Sequence, residues 1–311
     1  MQKILVTGGA GYVGSHLTAL LGERCIVYDS LLYANEYLRD VEFVRGDVTD
    51  YALLDQYLKK VDCVVWLAAI VGDAACMVNP RKAIATNQEA VAHLAAHFDG
   101  PIIYMSSCSA YGIAEAVATE ESALAPQSLY AETKIESEKS LVGKQALVLR
   151  LGTLHGPSER MRFDLVVNVL TMHAIIKGRL EVFGGHQFRP LLSVIDIAEF
   201  IAGAVDRDWK PGVYNVASQN MSILDVAACV KEVIPEVTIE TVGSSFEDSR
   251  NYRVDTSKAE NLLGFRGKRD VKDSVRAIAS LLRSGRIKDC SDLRYQNLMA
   301  LRHSEGSDVG R

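Results

Sequence analysis

Tyr130 and Lys134 form the most informative pair of residues in the chain. Of the twelve tyrosines, Tyr130 alone has a lysine four positions later. Side chains at i and i+4 of a helix lie on the same face, so the phenol and the ammonium are expected to be neighbours. A free tyrosine has a pKa of about 10 and is a poor base at neutral pH, but a nearby positive charge stabilises the phenolate. The spacing therefore predicts a pair that transfers a proton.

A serine-rich segment precedes this pair at the end of an apolar run. Residues 104–112 read Tyr-Met-Ser-Ser-Cys-Ser-Ala-Tyr-Gly. A serine hydroxyl at that position would hydrogen-bond a substrate hydroxyl and hold the oxygen whose proton Tyr130 removes. The N-terminal segment indicates the second half of the chemistry.

A glycine loop at the N-terminus connects a short apolar run to a stretch with helical periodicity. Gly8 permits the tight turn, Gly11 lets the backbone approach a pyrophosphate, and Gly14 lets the helix pack closely on the strand. The start of the helix offers unpaired N–H groups and a partial positive charge to phosphates. This arrangement predicts a dinucleotide site, to which Tyr12 and Val13 of the same loop are also assigned.

Asp29 ends the second apolar run, about 20 residues after the first glycine of the loop. A carboxylate at this point accepts hydrogen bonds from the adenosine ribose hydroxyls and repels a 2′-phosphate. We therefore expect NAD as the cofactor and not NADP. Its oxidised nicotinamide would take a hydride while Tyr130 takes the proton.

Six apolar runs alternate with helical stretches through the first half of the chain, at residues 3–7, 25–28, 41–45, 62–67, 101–105 and 146–151. This alternation predicts an α/β fold with a Rossmann-type doubly wound parallel sheet, whose ligands bind at the carboxyl ends of the strands. At these ends Asp47, with Val48 beside it, is expected to meet the adenine amino group. The segment Leu67, Ala68 and Ala69, with its two small alanine side chains, would let the cofactor pass close by.

The rhythm changes after residue 151, which predicts a smaller C-terminal substrate-binding lobe woven into the nucleotide domain. The NAD-binding domain is assigned to residues 1–151 and about 190–216, and the lobe to about 152–189 and 217–302. Residues 191–205 are predicted to form a strand and a helix that return to the main sheet. A mobile loop is predicted at 243–250 and a disordered polar tail at 303–311.

The composition argues against several kinds of partner. A net charge of −5 disfavours nucleic acid, and the longest apolar stretch, residues 63–71, falls far short of the ~20 residues of a membrane helix. The six cysteines form no CxxC pair and the first strand begins almost at once, which favours a cytoplasmic protein with reduced thiols. His93 and His97 share a helix face, but the glutamate of HExxH is missing, so no metal is expected.

These features together resemble the extended short-chain dehydrogenase/reductase family, in its NAD-dependent nucleotide-sugar epimerase/dehydratase branch, over residues 3 to about 285. The resemblance is carried by the glycine loop TGGAGYVG, Leu-Ala-Ala at 67–69 after Trp66 in place of the usual histidine, Tyr-Gly at 111–112, RLGTLHGP at 150–157, RPLLSVIDIA at 189–198, and the pattern RxYxxDxSKxxxxLGF within 249–265.

The resemblance implies a role for each matching residue. Tyr130 is implied as the base, Lys134 as its partner, and Ser107 as the active-site hydroxyl four positions before the Tyr-Gly pair. Arg189 and Arg250 are implied to grip a substrate diphosphate, which suits a guanidinium because its fixed fork chelates phosphate oxygens.

The remaining cofactor assignments are Asn87, in the predicted helix 81–98, and Ser106 at the serine-rich strand end. Members of the family usually form dimers through a four-helix bundle. The resemblance therefore implies a homodimer, for which the helices at 81–98 and 126–142 are the candidates.

Two further stretches, residues 68–76 and 159–168, resemble a sub-branch that includes dehydrogenases acting at C4 of GDP-linked heptoses and many sugar 4-epimerases. By this likeness Arg160, Arg162 and Asn168 are expected to face the nucleotide of the substrate or its phosphates.

One departure from the family pattern bears on the reaction. In the 4,6-dehydratases of this branch, an Asp–Glu pair follows the active-site hydroxyl and drives elimination of water across C5 and C6. Here Cys108 and Ser109 hold those positions, which we assign to substrate contact. Neither side chain serves readily as that acid/base pair at neutral pH, so a dehydratase is disfavoured.

The sequence thus predicts an NAD-dependent enzyme that oxidises C4 of a nucleotide-diphosphate sugar to a 4-keto sugar, with Tyr130 as base and hydride passed to NAD. A 4-epimerase, which returns the hydride to the other face of the sugar, is favoured. One alternative is a net C4 dehydrogenase or 4-ketoreductase of a nucleotide sugar or GDP-heptose. An alternative of another class is a non-catalytic NAD-binding regulatory protein.

Overall fold

The computed structural model describes residues 2–33, 36–243 and 250–308 of the 311-residue chain. Its strands in chain order are β1 Ile4–Thr7, β2 Cys25–Asp29, β3 Glu42–Arg45, β4 Cys63–Trp66, β5 Ile102–Ser107, β6 Ile113–Ala118, β7 Ala146–Leu151, β8 Thr153–His155, β9 Arg179–Phe183, β10 Phe188–Ser193, β11 Gly212–Val216, β12 Gln219–Ser222, β13 Thr238–Val242 and β14 Asn251–Val254.

The α-helices, in the same order, are α1 Gly14–Leu21, α2 Tyr51–Leu58, α3 Asp73–Cys76, α4 Pro80–Ile84, α5 Ala90–His97, α6 Leu129–Ser140, α7 Val166–Lys177, α8 Val194–Ala204, α9 Ile223–Val233, α10 Ser257–Leu263, α11 Val271–Arg283 and α12 Asn297–Asp308. A π-helical turn, Ala85–Glu89, joins α4 to α5. Within the described ranges, no helix has both the length and the apolar character needed to cross a membrane.

Seven strands form one parallel sheet in the order β11, β7, β5, β4, β1, β2, β3. This confirms the predicted Rossmann-type doubly wound fold. The direction of winding reverses between β1 and β4, and in such sheets ligands bind in the crevice at the carboxyl ends of the strands around that point. The switch point is therefore where the site is expected.

The core of this sheet follows from the alternation of side chains along each strand. Ile4 and Val6 of β1 pack on one face with Leu17 of α1 and Ile197 of α8. Leu5 packs on the other face, which α2 and α5 cover. A strand buried on both faces must be apolar at every position, which is why these strands appear in the sequence as unbroken apolar runs.

The strand predicted within residues 191–205 does not return to the main sheet. β10 instead joins β8 and β12 in a separate three-stranded sheet, and β11 takes the edge of the main sheet beside β7. Helix α8 does cover the main sheet, as predicted. An apolar run predicts burial but does not determine the sheet in which a strand pairs, so its periodicity could not distinguish the two outcomes.

The described residues also form the three-stranded β8–β10–β12 sheet and two strand pairs, β9 with β13 and β6 with β14. Helices α7, α9 and α11 share one apolar core, which includes Val167, Val226 and Val275. The division of the chain into a nucleotide-binding domain and a substrate lobe stays a prediction.

The prediction of a disordered tail is wrong for residues 303–308, which lie in α12. Leu301 of this helix is buried against Ile70, and Glu305 forms an ion pair with Lys82 at 3.2 Å. The polar composition of this segment predicts disorder, but contacts with distant parts of the chain order it. The predicted mobile loop at 243–250 falls largely on residues 244–249, which lie outside the described residues, as do 309–311.

A buried ion pair fastens α6 to the main sheet. The guanidinium of Arg150 on β7 lies 2.7 Å from the carboxylate of Glu138 on α6, and the two side chains are 5% and 7% exposed. Ser106 of β5 donates a further hydrogen bond to that carboxylate. Arg150 also donates to the hydroxyl of Tyr111 at 2.8 Å, which donates to Asn215 of β11 at 2.7 Å. Burial disfavours the charge on Arg150, but Glu138 outweighs this effect and raises the pKa of the guanidinium.

Replacing Glu138 by glutamine is expected to lower the free energy of unfolding by about 3–5 kcal/mol, because it leaves a buried guanidinium without its counter-ion. Urea denaturation measures this change. Glu136→Gln on the same helix is the matched control, since Glu136 is 44% exposed and pairs with an exposed lysine; its loss should stay below about 1 kcal/mol. Equal losses in the two variants would show that the buried pair does not anchor the helix.

Candidate active site

A cavity of about 1270 Å³ opens at the carboxyl ends of β1, β2, β4 and β5. Typical small-molecule sites occupy roughly 300–1,000 Å³, so this cavity can hold two ligands side by side. Its walls bring together most of the predicted site residues: Gly8, Gly11, Tyr12, Val13, Gly14, Asp29, Asp47, Val48, Leu67, Ala68, Ala69, Ser106, Ser107, Ser109, Tyr130, Lys134, Arg160, Arg162, Arg189 and Arg250. Asn87, Cys108 and Asn168 lie behind the walls.

The glycine positions of the loop leave no space for a side chain. Gly8 has a φ of +72°, and a Cβ there would lie 2.7 Å from the backbone nitrogen of Ala68. A Cβ at Gly14 would lie 2.4 Å from the carbonyl oxygen of Gly8. Gly14 therefore packs against the loop itself, whereas the sequence predicts packing against the strand. Gly9, which the motif leaves unspecified, packs against Val27 of β2, where a Cβ would come within 2.7 Å.

Two acidic residues lie where the sequence predicts contacts with the adenosine. The Asp29 carboxylate accepts hydrogen bonds from the backbone N–H groups of Ala10 at 3.0 Å and Leu31 at 2.7 Å. Burial raises its pKa, and these two hydrogen bonds oppose that effect. Asp47 accepts from the N–H and hydroxyl of Thr49, at 3.0 and 2.8 Å. Both carboxylates are thus held in fixed orientations in the wall of the cavity.

Asn87, predicted to bind the cofactor, connects chain segments instead. Its side-chain amide exchanges two hydrogen bonds with the backbone of Ile70, at 2.7 and 2.9 Å, and donates a third to Thr133 on α6 at 3.3 Å. A buried amide must satisfy its polar atoms, and this one does so within the protein. Asn87 therefore holds the segment after β4 against the helix that carries Tyr130.

Tyr130 and Lys134 share a face of α6, as their spacing predicts. The helix begins after Ser128, whose hydroxyl accepts the N–H of Ala131. The ammonium of Lys134 lies 5.9 Å from the centre of the Tyr130 ring and donates to the carbonyl of Met105 at 2.8 Å. That carbonyl belongs to β5, so the strand end fixes the position of the lysine.

Ser107 lines the cavity with Tyr130 and opposes the rise that burial causes in the pKa of that phenol. Its hydroxyl lies 2.8 Å from that of Ser109. The neighbouring Ser106 donates to Glu138. Cys108, predicted to contact substrate, is fully buried and donates its thiol to the carbonyl of Arg150 at 3.1 Å. Cys108 begins a 3-10 turn, Cys108–Tyr111, in which Ser109 lines the cavity and Cys108 does not.

The charges around Tyr130 differ from the expectation. Burial is the largest influence and raises the pKa of Tyr130 above its ordinary value, while the positive charge of Arg162 is the strongest opposing influence. Burial also lowers the pKa of Lys134 to about 8. Arg162, and not the lysine, is thus the cation that most favours the phenolate in the protein alone.

Arg160 and Arg162 are both largely buried and both line the cavity. Arg162 makes a two-pronged ion pair with Asp164, at 3.0 and 2.8 Å. Arg160 donates to the side chain of Asn297 on α12 at 2.6 Å and lies over the ring of Tyr33, 4.4 Å from its centre. Burial, together with the charge of Arg162, lowers the pKa of Arg160 to about 10.

Asn168, the third residue of this predicted set, is a structural brace. Its amide accepts the N–H of Gly156 at 3.0 Å and donates to the Tyr12 hydroxyl at 3.0 Å. That hydroxyl in turn donates to the carbonyl of Gly156 at 2.6 Å. These three hydrogen bonds join the glycine loop to the segment after β8. Tyr12 therefore lines the cavity, but its hydroxyl is bonded within the protein.

The two arginines assigned to a diphosphate also line the cavity. Arg250 forms an ion pair with Asp73 at 2.9 Å. Arg189 donates to the carbonyl of Phe188 at 2.8 Å and to that of Arg250. Each guanidinium is therefore oriented by protein contacts at the cavity wall.

Sequence reasoning missed the contribution of α12. Asn297 and Leu298 line the cavity, and Asn297 donates to the carbonyl of Val71 at 3.1 Å as well as accepting from Arg160. No local signal could have revealed this, because both partners lie more than a hundred residues earlier in the chain. The helix thus ties together two segments that line the cavity.

Comparison with known proteins agrees with this geometry. Residues 4–217 match the NAD dependent epimerase/dehydratase family. UDP-glucose 4-epimerase of Halalkalibacterium halodurans is 28% identical, covering 86% of this chain and 91% of its own length. UDP-glucuronic acid decarboxylase 1 of Arabidopsis thaliana is 27% identical, covering 91% of this chain and 70% of its own. The solved structure of TunA, an NAD-dependent NDP-hexosamine 5,6-dehydratase, superposes with a TM-score of 0.82 at 26% identity, covering 93% of this chain and 100% of TunA.

The depressed pKa of Lys134 predicts a dependence of stability on pH. Below pH about 8 the lysine is charged in both the folded and the unfolded chain, so the cost of burying its charge is fully present. Between about 8 and 10.5 the unfolded chain binds more protons than the folded one, so the free energy of unfolding should rise by about 3 kcal/mol. Urea denaturation of the protein and of Lys134→Met across this range measures the rise as their difference.

The matched control for this experiment is Lys139→Met, on the same helix but with an exposed side chain. Its difference from the unmodified protein should stay constant with pH. If the difference in unfolding free energy between Lys134→Met and the unmodified protein also stayed constant with pH, the pKa of the buried amine would not be lowered.

Asn297→Ala is expected to lower the free energy of unfolding by about 1–3 kcal/mol, because it leaves the buried guanidinium of Arg160 without its side-chain acceptor. Urea denaturation gives this value, and dinucleotide affinity should weaken in parallel as α12 loosens. Asn261→Ala on α10, where the side chain is exposed, is the control and should change stability by less than about 0.5 kcal/mol. No difference between the two variants would refute a structural role for the α12 contact.

Proposed function

The chain belongs to the NAD-dependent epimerase/dehydratase family, and from that premise we propose that it is a 4-epimerase of a nucleotide-diphosphate sugar. It is an enzyme of the extended short-chain dehydrogenase/reductase type, and its cofactor is NAD. The observation that carries the proposed chemistry at C4 is the grouping of Tyr130, Ser107 and Lys134 at one wall of the cavity, beside residues that fit NAD.

The residues of the cavity fit the cofactor. A cradle without Cβ atoms at Gly8 and Gly14 lets a pyrophosphate lie against the backbone, and the start of α1 adds a favourable partial charge. Gly11, Tyr12 and Val13 complete this loop. The fixed carboxylate of Asp29 suits ribose hydroxyls and disfavours a 2′-phosphate. The residues proposed for the rest of the cofactor are Asp47, Val48, Leu67, Ala68, Ala69 and the wall at Ser106. When bound, NAD supplies a hydride acceptor, and its reduced form a hydride donor.

Tyr130 would remove the proton of the C4 hydroxyl while Ser107 holds the same oxygen by a hydrogen bond. The high pKa of the buried phenol works against this step, and the charge of Arg162 works for it. Lys134 is positioned by the carbonyl of Met105, with its ammonium close to the Tyr130 ring. The three residues therefore have the chemistry to take a proton from a secondary alcohol and to return it to the ketone.

Two arginines at the cavity wall are proposed to bind the substrate. Arg189 and Arg250 would chelate the diphosphate, and the Arg250–Asp73 ion pair would open to release a guanidinium for this purpose. Arg160 and Arg162 add positive charge nearer the reacting centre. Contacts remote from C4 would orient the sugar, which is an efficient use of binding energy.

A dehydratase is disfavoured by the residues after Ser107. Cys108 is buried, its thiol is bonded to a backbone carbonyl, and burial raises its pKa well above the ordinary range. Ser109 shares a hydrogen bond with Ser107. An elimination across C5 and C6 needs an acid and a base on the substrate, and neither side chain supplies one.

The similarity of the chain to UDP-glucose 4-epimerases supports the epimerase proposal. A net C4 dehydrogenase or 4-ketoreductase remains the second candidate, because it needs the same proton-transfer residues. A non-catalytic NAD-binding protein would not need Tyr130, Ser107 and Lys134 together. We also propose a homodimer built on the helices at 81–98 and 126–142.

Mixing the purified protein with a panel of UDP-, GDP-, dTDP- and CDP-sugars is the experiment that tests this function. An epimerase converts one sugar to its C4 isomer with no lasting gain in reduced nicotinamide absorbance. A stoichiometric gain with a 4-keto product would identify a dehydrogenase and overturn the epimerase. Tyr130→Phe should lower turnover by about 10²–10⁴-fold with NAD binding retained. Tyr57→Phe on α2 is the control and should keep full activity. A fully active Tyr130→Phe protein would refute the proposed mechanism.

A further inference from the structure

We propose that Asp55, His93 and His97 form a binding site for a divalent transition-metal ion. Asp55 lies on α2, and both histidines lie on α5. One potential ligand atom from each residue lies within 4.8 Å of the other two. The three belong to the helical layer over one face of the main sheet and are separate from the residues that line the cavity.

The spacing is close to that of a metal centre. Nε2 of His93 lies 2.7 Å from a carboxylate oxygen of Asp55. Ligands of a tetrahedral zinc ion, with bonds of about 2.0–2.1 Å, stand roughly 3.3–3.4 Å apart. Side-chain rotations would open the His93–Asp55 pair and draw His97 inward, and the proton that Nε2 of His93 donates to Asp55 would leave for solvent or move to Nδ1 as the ion binds.

Ring stacking holds the two imidazoles in place. The ring of Tyr51 stacks on His93, with centres 4.1 Å apart and planes 5° from parallel. His97 stacks on His93 as well, with centres 3.9 Å apart and planes at 19°. His93 is thus enclosed between two rings.

The hydrogen bond made by His97 prepares its other nitrogen for a metal. Nδ1 of His97 lies 2.9 Å from the backbone carbonyl of His93. A carbonyl only accepts, so Nδ1 carries the proton and Nε2 of the neutral ring presents its lone pair. Metal-ligating histidines characteristically donate their second N–H to a carbonyl or carboxylate in this way.

The ligand set selects the class of ion. Two imidazoles and one carboxylate suit zinc and its neighbours in the first transition series, whereas magnesium prefers oxygen ligands alone. A fourth position remains for water. The pattern HExxH could not reveal this cluster, because the carboxylate comes from another helix, 38 residues before His93. A bound ion would join α2 to α5 and stabilise the folded chain by mass action.

Titration of tag-free, chelator-treated full-length protein with Zn²⁺ in a calorimeter tests the site, with Mg²⁺ in parallel. We expect one Zn²⁺ per chain, no comparable Mg²⁺ binding, and a higher Tm with Zn²⁺. His97→Gln should weaken Zn²⁺ binding by about 10-fold or more and abolish the Tm shift. The side chain of His97 is exposed, so this variant is expected to fold.

His186→Gln is the matched control, because His186 is also exposed and lies outside the cluster. It should leave both the affinity and the Tm shift unchanged. Asp55→Asn supplies a second test from the other helix and should weaken binding as His97→Gln does. Equal Zn²⁺ affinity in the unmodified protein and both cluster variants, or equal losses in His186→Gln, would mean adventitious binding and overturn the proposal.

Discussion

The buried ion pair between Glu138 and Arg150 is the interaction on which the proposed proton-transfer centre depends. Tyr130 and Lys134 lie on α6, and this pair is what joins the helix to β7 while Ser106 joins it to β5. Two buried charges cost much desolvation energy, which good geometry and further hydrogen bonds must offset. Here Ser106 and Tyr111 provide them. The result is a helix whose position relative to the strand ends is set by directional contacts as well as by apolar packing.

Burial then determines the charges that this geometry can use. The same enclosure raises the pKa of the Tyr130 phenol and lowers that of the Lys134 ammonium. The pair is therefore not a self-sufficient base, and it depends on positive charge brought by other parts of the chain. Arg162 contributes part of that charge, and its own charge is stabilised by Asp164. A charged ligand in the cavity would also shift the pKa values of Tyr130 and Lys134, so ligand binding and proton transfer would be coupled.

The residues assigned to ligands divide according to where their polar atoms are satisfied. Asn87, Cys108 and Asn168 make their hydrogen bonds with other parts of the chain behind the cavity walls. They occur in segments that the sequence assigns to ligand binding. A buried polar side chain must find a partner, but the sequence does not say whether that partner is a ligand or another part of the chain. Only the directions of the side chains decide between the two roles.

What the sequence by itself determined was local. Three signals depend only on neighbours within a few residues: the glycines of the tight turn, the i to i+4 spacing of Tyr130 and Lys134, and the apolar runs of the sheet. The fold class and the proximity of Tyr130 to Lys134 could therefore be predicted. The tertiary structure alone decided that β10 leaves the main sheet, that α12 reaches Arg160, and that Asp55 meets His93. These outcomes join residues far apart in the chain. Their partners are selected by packing and hydrogen bonding in three dimensions, which local patterns do not encode.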